Sequence, residues 1–135
     1  MIEWGPINPD GRDMTSKIRL ELARTREHPE GDPRHGYELV APLDGDGHLD
    51  TEAWRRHRAG CTVRRFAPGE EDEIGRLVHA RGSRWAFSYR PGDEDDEAVY
   101  RLADHRFRVG DYVSITEHDG VIRPFRVVSV RPAPA

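Results

Sequence analysis

Lys17-Ile18-Arg19-Leu20-Glu21-Leu22-Ala23-Arg24-Thr25-Arg26 decides the fold class of this chain. Ile18, Leu20 and Leu22 fall on one side of an extended backbone, and Arg19, Glu21 and Ala23 fall on the other. Side chains alternate across a strand, so a period of two with one apolar and one charged face predicts a half-buried β-strand. A strand with one wet face belongs to an antiparallel sheet, because parallel sheets are covered on both sides.

Working outward, His28–Arg34 (HPEGDPR) reads as a turn rich in Pro and Gly, and Gly36–Pro42 as a second strand with Tyr37, Leu39 and Ala41 on one face. The two strands form a hairpin with a long tip. Further strands are predicted over Cys61–Phe66, Ile74–Arg81, Ser83–Arg90, a short Glu97–Leu102, Asp111–Glu117 and Val121–Arg131. His118-Asp119-Gly120 is the turn between the last two. Both of those strands carry apolar residues on each face, which predicts partial burial on two sides. The expected fold is mainly β: a single antiparallel β-barrel or strongly bent sheet of about seven or eight short strands with one short helix. A layered α/β fold would need more helices.

The helix starts at the end of Asp44-Gly45-Asp46-Gly47-His48-Leu49-Asp50. This stretch looks like a calcium-binding EF-hand loop, with Asp44, Asp46 and Asp50 at loop positions 3, 5 and 9. Position 1 is then Pro42, which has no side-chain oxygen, and position 12 is Ala53 in place of a bidentate Glu. An EF-hand also needs an entering helix, whereas Tyr37–Ala41 reads as a strand. The calcium reading, with Glu52 as a further ligand, is therefore rejected in favour of a β-to-α connection. Asp50 is the N-cap, whose carboxylate accepts from a first-turn N–H. Leu49 and Trp54 make the hydrophobic staple, and the helix is expected over Thr51–Ala59, with Trp54 facing the core and Gly60 as a left-handed terminator.

The 135 residues suit one domain able to bury a core without a staple. Residues 1–14 read as a disordered leader, and Met14-Thr15-Ser16 as a second start site, leaving 15–135 as the single mainly-β domain. One cysteine, Cys61, excludes an intramolecular disulfide and a Cys-rich zinc site, and points to a reducing cytoplasm. No 18-residue apolar run provides a membrane span. The net charge of −4 gives no cationic field for nucleic acid. All but Lys17 of the 21 basic residues are Arg, a bias that GC-rich coding explains as well as anion recognition does.

No catalytic constellation stands out. The seven histidines are scattered; His28 and His35 flank the first hairpin tip and could meet across it, but two nitrogens make a poor zinc site. Cys61 follows a helix C-terminus, where the dipole raises a thiol pKa, and reads as packing. The acidic runs 70–73 and 93–97 read as solvated loop tips, and follow a weak echo between Phe66–Asp72 and Tyr89–Asp95 that does not establish a repeat. Arg64, Arg84 and Arg90 are the weak binding candidates, on strands that also carry aromatics. Arg84 and Arg90 lie opposite Trp85, Phe87 and Tyr89, the pattern of a charged outside and an apolar inside.

Three segments, Asp44–Arg55, Phe66–Val78 and Asp104–Val130, together resemble a small family of uncharacterised alphaproteobacterial proteins. The resemblance covers residues 15–131. It implies a compact, mostly antiparallel β-barrel and brings no activity, ligand or cofactor. The reading from sequence is a non-enzymatic binding or interaction module of unknown ligand, with no cofactor, no membrane and room for a homodimer. The alternatives are a small enzyme or ligand carrier with its site in the barrel mouth and, more weakly, single-stranded nucleic-acid binding.

Overall fold

The computed structural model describes residues 15–79, 85–89, 97–99 and 106–133. The leader 1–14 lies outside the described residues, as do Arg84, Arg90, His105 and the 93–96 part of the second acidic run. The fold is mainly β. Eight strands run in order around a closed barrel: β1 (Thr15–Leu22), β2 (Asp32–Ala41), β3 (Thr62–Phe66), β4 (Glu73–His79), β5 (Trp85–Ser88), β6 (Glu97–Val99), β7 (Tyr112–Thr116) and β8 (Ile122–Ala133). Every neighbour pair is antiparallel, and β1 against β8 closes the ring, with Ile18 opposite Val130 and Leu22 opposite Phe125. Irregularities at Arg19/Leu20 and Glu21/Leu22 bend β1, the local kink that lets a sheet curl onto itself. None of the helices among the described residues is long and apolar enough to cross a membrane.

The alternation in β1 and β2 sends side chains where the sequence predicts. Ile18, Leu20, Leu22, Tyr37, Leu39 and Ala41 are all buried. They meet Val63, Leu77, Trp85, Phe87, Val113, Ile115, Phe125 and Val127 in one interior core. Tyr37 sits near its middle, 5.1 Å from Phe125 in an edge contact and 5.2 Å from Phe87.

One end of the barrel is plugged. Asp50 Oδ1 accepts from the Ala53 N–H at 3.1 Å and starts α1, Thr51–Arg56. The staple forms: Leu49 and Trp54 are both buried. Trp54 meets Trp85 edge-on at 5.0 Å and donates Nε1–H to the Leu77 carbonyl at 3.0 Å. The indole thus buries its bulk and satisfies its one polar group together.

Several boundaries differ from the sequence reading. The helix stops at Arg56, and the chain tightens into a 3₁₀ turn over Arg58–Gly60. Gly60 ends that turn and is not among the glycines with positive φ, so it is not a left-handed terminator. β1 ends at Leu22 and β2 begins at Asp32, inside the expected turn, because Leu22 still pairs with Asp32 and Gly31 (φ 74°) turns the chain. On the outside of β7 and β8, Tyr112 (57 % exposed) and Ile122 (63 %) face solvent, so the expected two-sided burial is absent there. The His118–Gly120 turn forms as read, with Gly120 at φ 79° and Thr116 opposite Ile122.

Candidate functional site

The opposite end of the barrel, its mouth, holds an ionic cluster. Parity builds it. On β2, His35 lies on the inward side with Tyr37; on β3, Arg65 lies on the inward side with Val63. Phe87 on β5 stands opposite Glu97 on β6, so the Glu97 side chain enters the barrel. Glu117 directly follows β7, and its side chain is buried as well. Glu97 is 0 % exposed, Glu117 3 % and Arg65 6 %. Buried charges of this kind need partners.

The partners are present. The Tyr37 hydroxyl lies 2.9 Å from Glu97 Oε1 and 2.6 Å from Glu117 Oε2, bridging the two carboxyl groups. Tyr89 donates its hydroxyl to Glu97 Oε1 at 2.8 Å, and the His118 backbone N–H donates to Glu97 Oε2 at 3.0 Å. Tyr89 reaches inward because the neighbouring position is Gly75, where a Cβ would stand 2.7 Å from the Tyr89 ring. Glu117 contacts His35 Nε2 at 2.9 Å, Arg65 Nε at 3.3 Å and Arg123 Nη1 at 3.0 Å. At the rim, Arg65 reaches Glu70 at 3.0 Å and His118 Nε2 reaches Glu73 at 2.9 Å.

The two carboxyl groups are pushed in opposite directions. Burial lifts Glu97 above its ordinary range, despite help from Tyr89, His118, Tyr37 and Arg65. Burial also opposes the Glu117 charge, but the His35 and Tyr37 hydrogen bonds and the Arg65 charge outweigh it and hold Glu117 below its ordinary range. Burial raises the Tyr37 and Tyr89 phenols, so both keep their protons.

At four positions the structure corrects the expectation that the acidic runs are solvated loop tips: Glu70 holds Arg65 at 3.0 Å, and three more are engaged. Glu97 is inside the barrel, Glu73 is tied to His118, and Asp72 holds Arg64 at 2.6 Å. His35 and His28 do not meet: the His35 ring turns into the mouth against Glu117 and Phe125, while His28 is exposed.

Arg64 is placed on the outer wall, as alternation implies, and it is occupied there. It holds Glu38 at 2.8 Å and Asp72 at 2.6 Å and lies over the Phe66 ring at 5.0 Å. Arg19 covers the same ring at 4.5 Å and holds Glu38 at 3.1 Å. Trp85 and Phe87 are buried in the interior, so neither forms part of a stacking platform on the surface.

In the aspartate loop, Asp44 Oδ1 accepts from the N–H groups of Asp46 (2.8 Å) and His48 (3.0 Å), while Asp50 caps the helix. Asp44, Asp46 and His48 lie within 4.8 Å of one another on an exposed turn. Cys61 is fully buried, and burial pushes its thiol up to about 11, which suits the packing role.

A hollow of about 340 Å³ lies on the outer wall, between the end of β1, the β1–β2 turn and β7–β8. It is lined by Arg24, Arg126 and Tyr112 together with Leu22, Ala23 and Gly31. Two of its three carboxylates already hold other cations: Glu21 takes Arg19 at 2.8 Å and Asp32 takes Arg34 at 3.1 Å, and Glu30 is the third. Arg24 and Arg126 have no ion pair among the described residues.

No family model, curated protein or solved structure matches this chain.

Proposed function

We propose that this chain is a non-enzymatic binding module that takes a small anionic ligand in the outer hollow between β1, the β1–β2 turn and β7–β8. The observation that carries this reading is the pairing of charge. The mouth cluster satisfies its own ionisable groups, whereas the hollow presents two Arg side chains, Arg24 and Arg126, and two of its three carboxylates, Glu21 and Asp32 but not Glu30, are taken by Arg19 and Arg34. A guanidinium offers a planar fork to carboxylate or phosphate. Tyr112, 57 % exposed, adds a ring and a hydroxyl to the same wall. The volume is within the range of small-molecule sites.

The test is an amide NMR titration of the full chain with inorganic phosphate and with acetate. Shifts at Gly31, Tyr112 and Arg126 are expected, and the double variant R24A/R126A should lose them. Equal shifts in the double variant, or none in the parent chain, would refute the site.

A small enzyme in the barrel mouth is the second reading. It is favoured by Glu97 and Glu117, whose environments separate their proton affinities as acid–base pairs require. The burial of both groups weighs against it.

A further inference from the structure

We infer that Glu97 is a protonated latch: its carboxylic acid donates to Tyr37, which donates to Glu117, and this shared proton ties β6 across the barrel mouth to β2 and β7. The inference is independent of the outer hollow and starts from a count of hydrogens. The Tyr37 oxygen lies within hydrogen-bonding distance of one oxygen from each carboxyl group, 2.9 Å from Glu97 and 2.6 Å from Glu117. A hydroxyl carries one hydrogen. If both carboxyl groups were ionised, one of those short contacts would set a hydroxyl oxygen against an anionic oxygen with no proton between them, in a buried site where repulsion is poorly screened. A second proton removes the conflict.

Geometry places that proton on Glu97. Glu117 faces His35 from β2, Arg65 from β3 and Arg123 from β8, all of which can support a carboxylate. Glu97 faces neutral groups at hydrogen-bonding distance: the Tyr37 hydroxyl from β2, and as donors the Tyr89 hydroxyl beyond β5 and the His118 amide from the β7–β8 turn. Its nearest basic groups are farther, with Arg65 Nε at 3.5 Å and His118 Nε2 at 3.7 Å. Both of those are shared: Arg65 with Glu70, Glu73 and Glu117, and His118 with Glu73. Asp119, farther out, is held by Arg123. The two buried carboxyl groups titrate as one coupled system.

The latch has a mechanical consequence. Among the described residues, β6 pairs with β7 only at Val99 opposite Ile115. The Glu97 side chain therefore supplies much of the connection from β6 to the far side of the mouth. Removing the proton leaves Tyr37 able to donate to only one carboxylate, so the chain from Glu97 through Tyr37 to Glu117 breaks at one of its two links as pH rises, while the His118 amide still donates to Glu97. A carboxyl group with raised proton affinity in the folded state stabilises fully at pH below its unfolded value. That contribution declines as pH rises toward its folded value.

The test uses the full chain with carboxyl-¹³C glutamate, followed by NMR from about pH 4 to about pH 9, a range spanning ordinary carboxyl and imidazole titrations. One of the two buried carboxyl carbons should keep the shift of a protonated acid at neutral pH. Finding both Glu97 and Glu117 ionised by about pH 6 would overturn the latch. The E97Q variant gives a second readout, since its amide can donate to Tyr37 at any pH. Its melting temperature relative to the parent should climb as pH rises above the ordinary Glu range, whereas E117Q should lose stability. A gap between E97Q and parent that does not change with pH would also overturn it.

Discussion

Replacing Trp54 by Ala removes the plug from the closed end of the barrel. The indole is 6 % exposed, meets Trp85 edge-on at 5.0 Å and donates to the Leu77 carbonyl at 3.0 Å. Truncating a buried aromatic to Ala costs about 3–5 kcal/mol. Within that figure the edge contact accounts for about 1 kcal/mol and the loss of the N–H donor for about 1 kcal/mol. Taking about 4 kcal/mol and a urea dependence of about 1.5 kcal/mol per molar, the midpoint of urea unfolding should fall by about 2.7 M. Domains of ordinary stability have about 5–15 kcal/mol in total, so the variant should remain foldable but marginal. Trp54→Phe keeps the apolar bulk and loses the donor, and should cost about 1–2 kcal/mol. Urea unfolding followed by far-ultraviolet circular dichroism reads both variants without relying on tryptophan fluorescence. A loss below about 1 kcal/mol for Trp54→Ala, the scale of a surface substitution, would refute the plug.

Three further outcomes follow from single contacts. Gly36→Ala drives a Cβ into the Leu20 carbonyl oxygen and toward the Phe66 ring, and should destabilise by at least about 1–3 kcal/mol in thermal unfolding. Asp50→Ala removes the cap on the Ala53 N–H and should cost about 1 kcal/mol, with Asp50→Asn recovering most of it. Acid unfolding should reflect Glu117, Asp32 and Asp119, all held low, Asp119 at about 2 by its Arg123 hydrogen bond. Their stabilisation is present above the unfolded carboxyl values of about 4 and is lost as pH falls through the lower folded values, so melting temperature should drop steeply only below about pH 4. High salt should shift the Asp119 part more than the buried Glu117 part.

The parts of the fold legible in sequence are those set by local rules. Ile18, Leu20 and Leu22 alternate with charged neighbours because one face of β1 is wet, and that pattern needs no knowledge of partners. Asp50, Leu49 and Trp54 announce the helix through contacts made within five residues. His118-Asp119-Gly120 announces the last hairpin in the same way. The mouth is different. Tyr37 meets Glu97 and Glu117 from 60 and 80 positions away, and no local pattern encodes such a meeting. Arg65 did carry a signal, since it shares the inward parity of Val63, but parity alone cannot name its carboxylate partners. Glu97 was masked by its company: it ends an acidic run, and charge runs are ordinarily solvated. The helix end was misplaced because Gly60 suits a left-handed terminator in general, whereas here the chain had already tightened at His57, whose φ of −130° ends α1.

Closure of the sheet into a ring is the claim on which the plugged end, the ionic mouth and the outer hollow all depend. It is most directly measured by Hα–Hα and amide nuclear Overhauser effects between β1 and β8. Contacts between Ile18 and Val130 and between Leu22 and Phe125 should appear together with those linking β1 to β2 and β7 to β8. If the β1–β2 and β7–β8 contacts are present and the β1–β8 contacts are missing, the sheet is open and the barrel is contradicted.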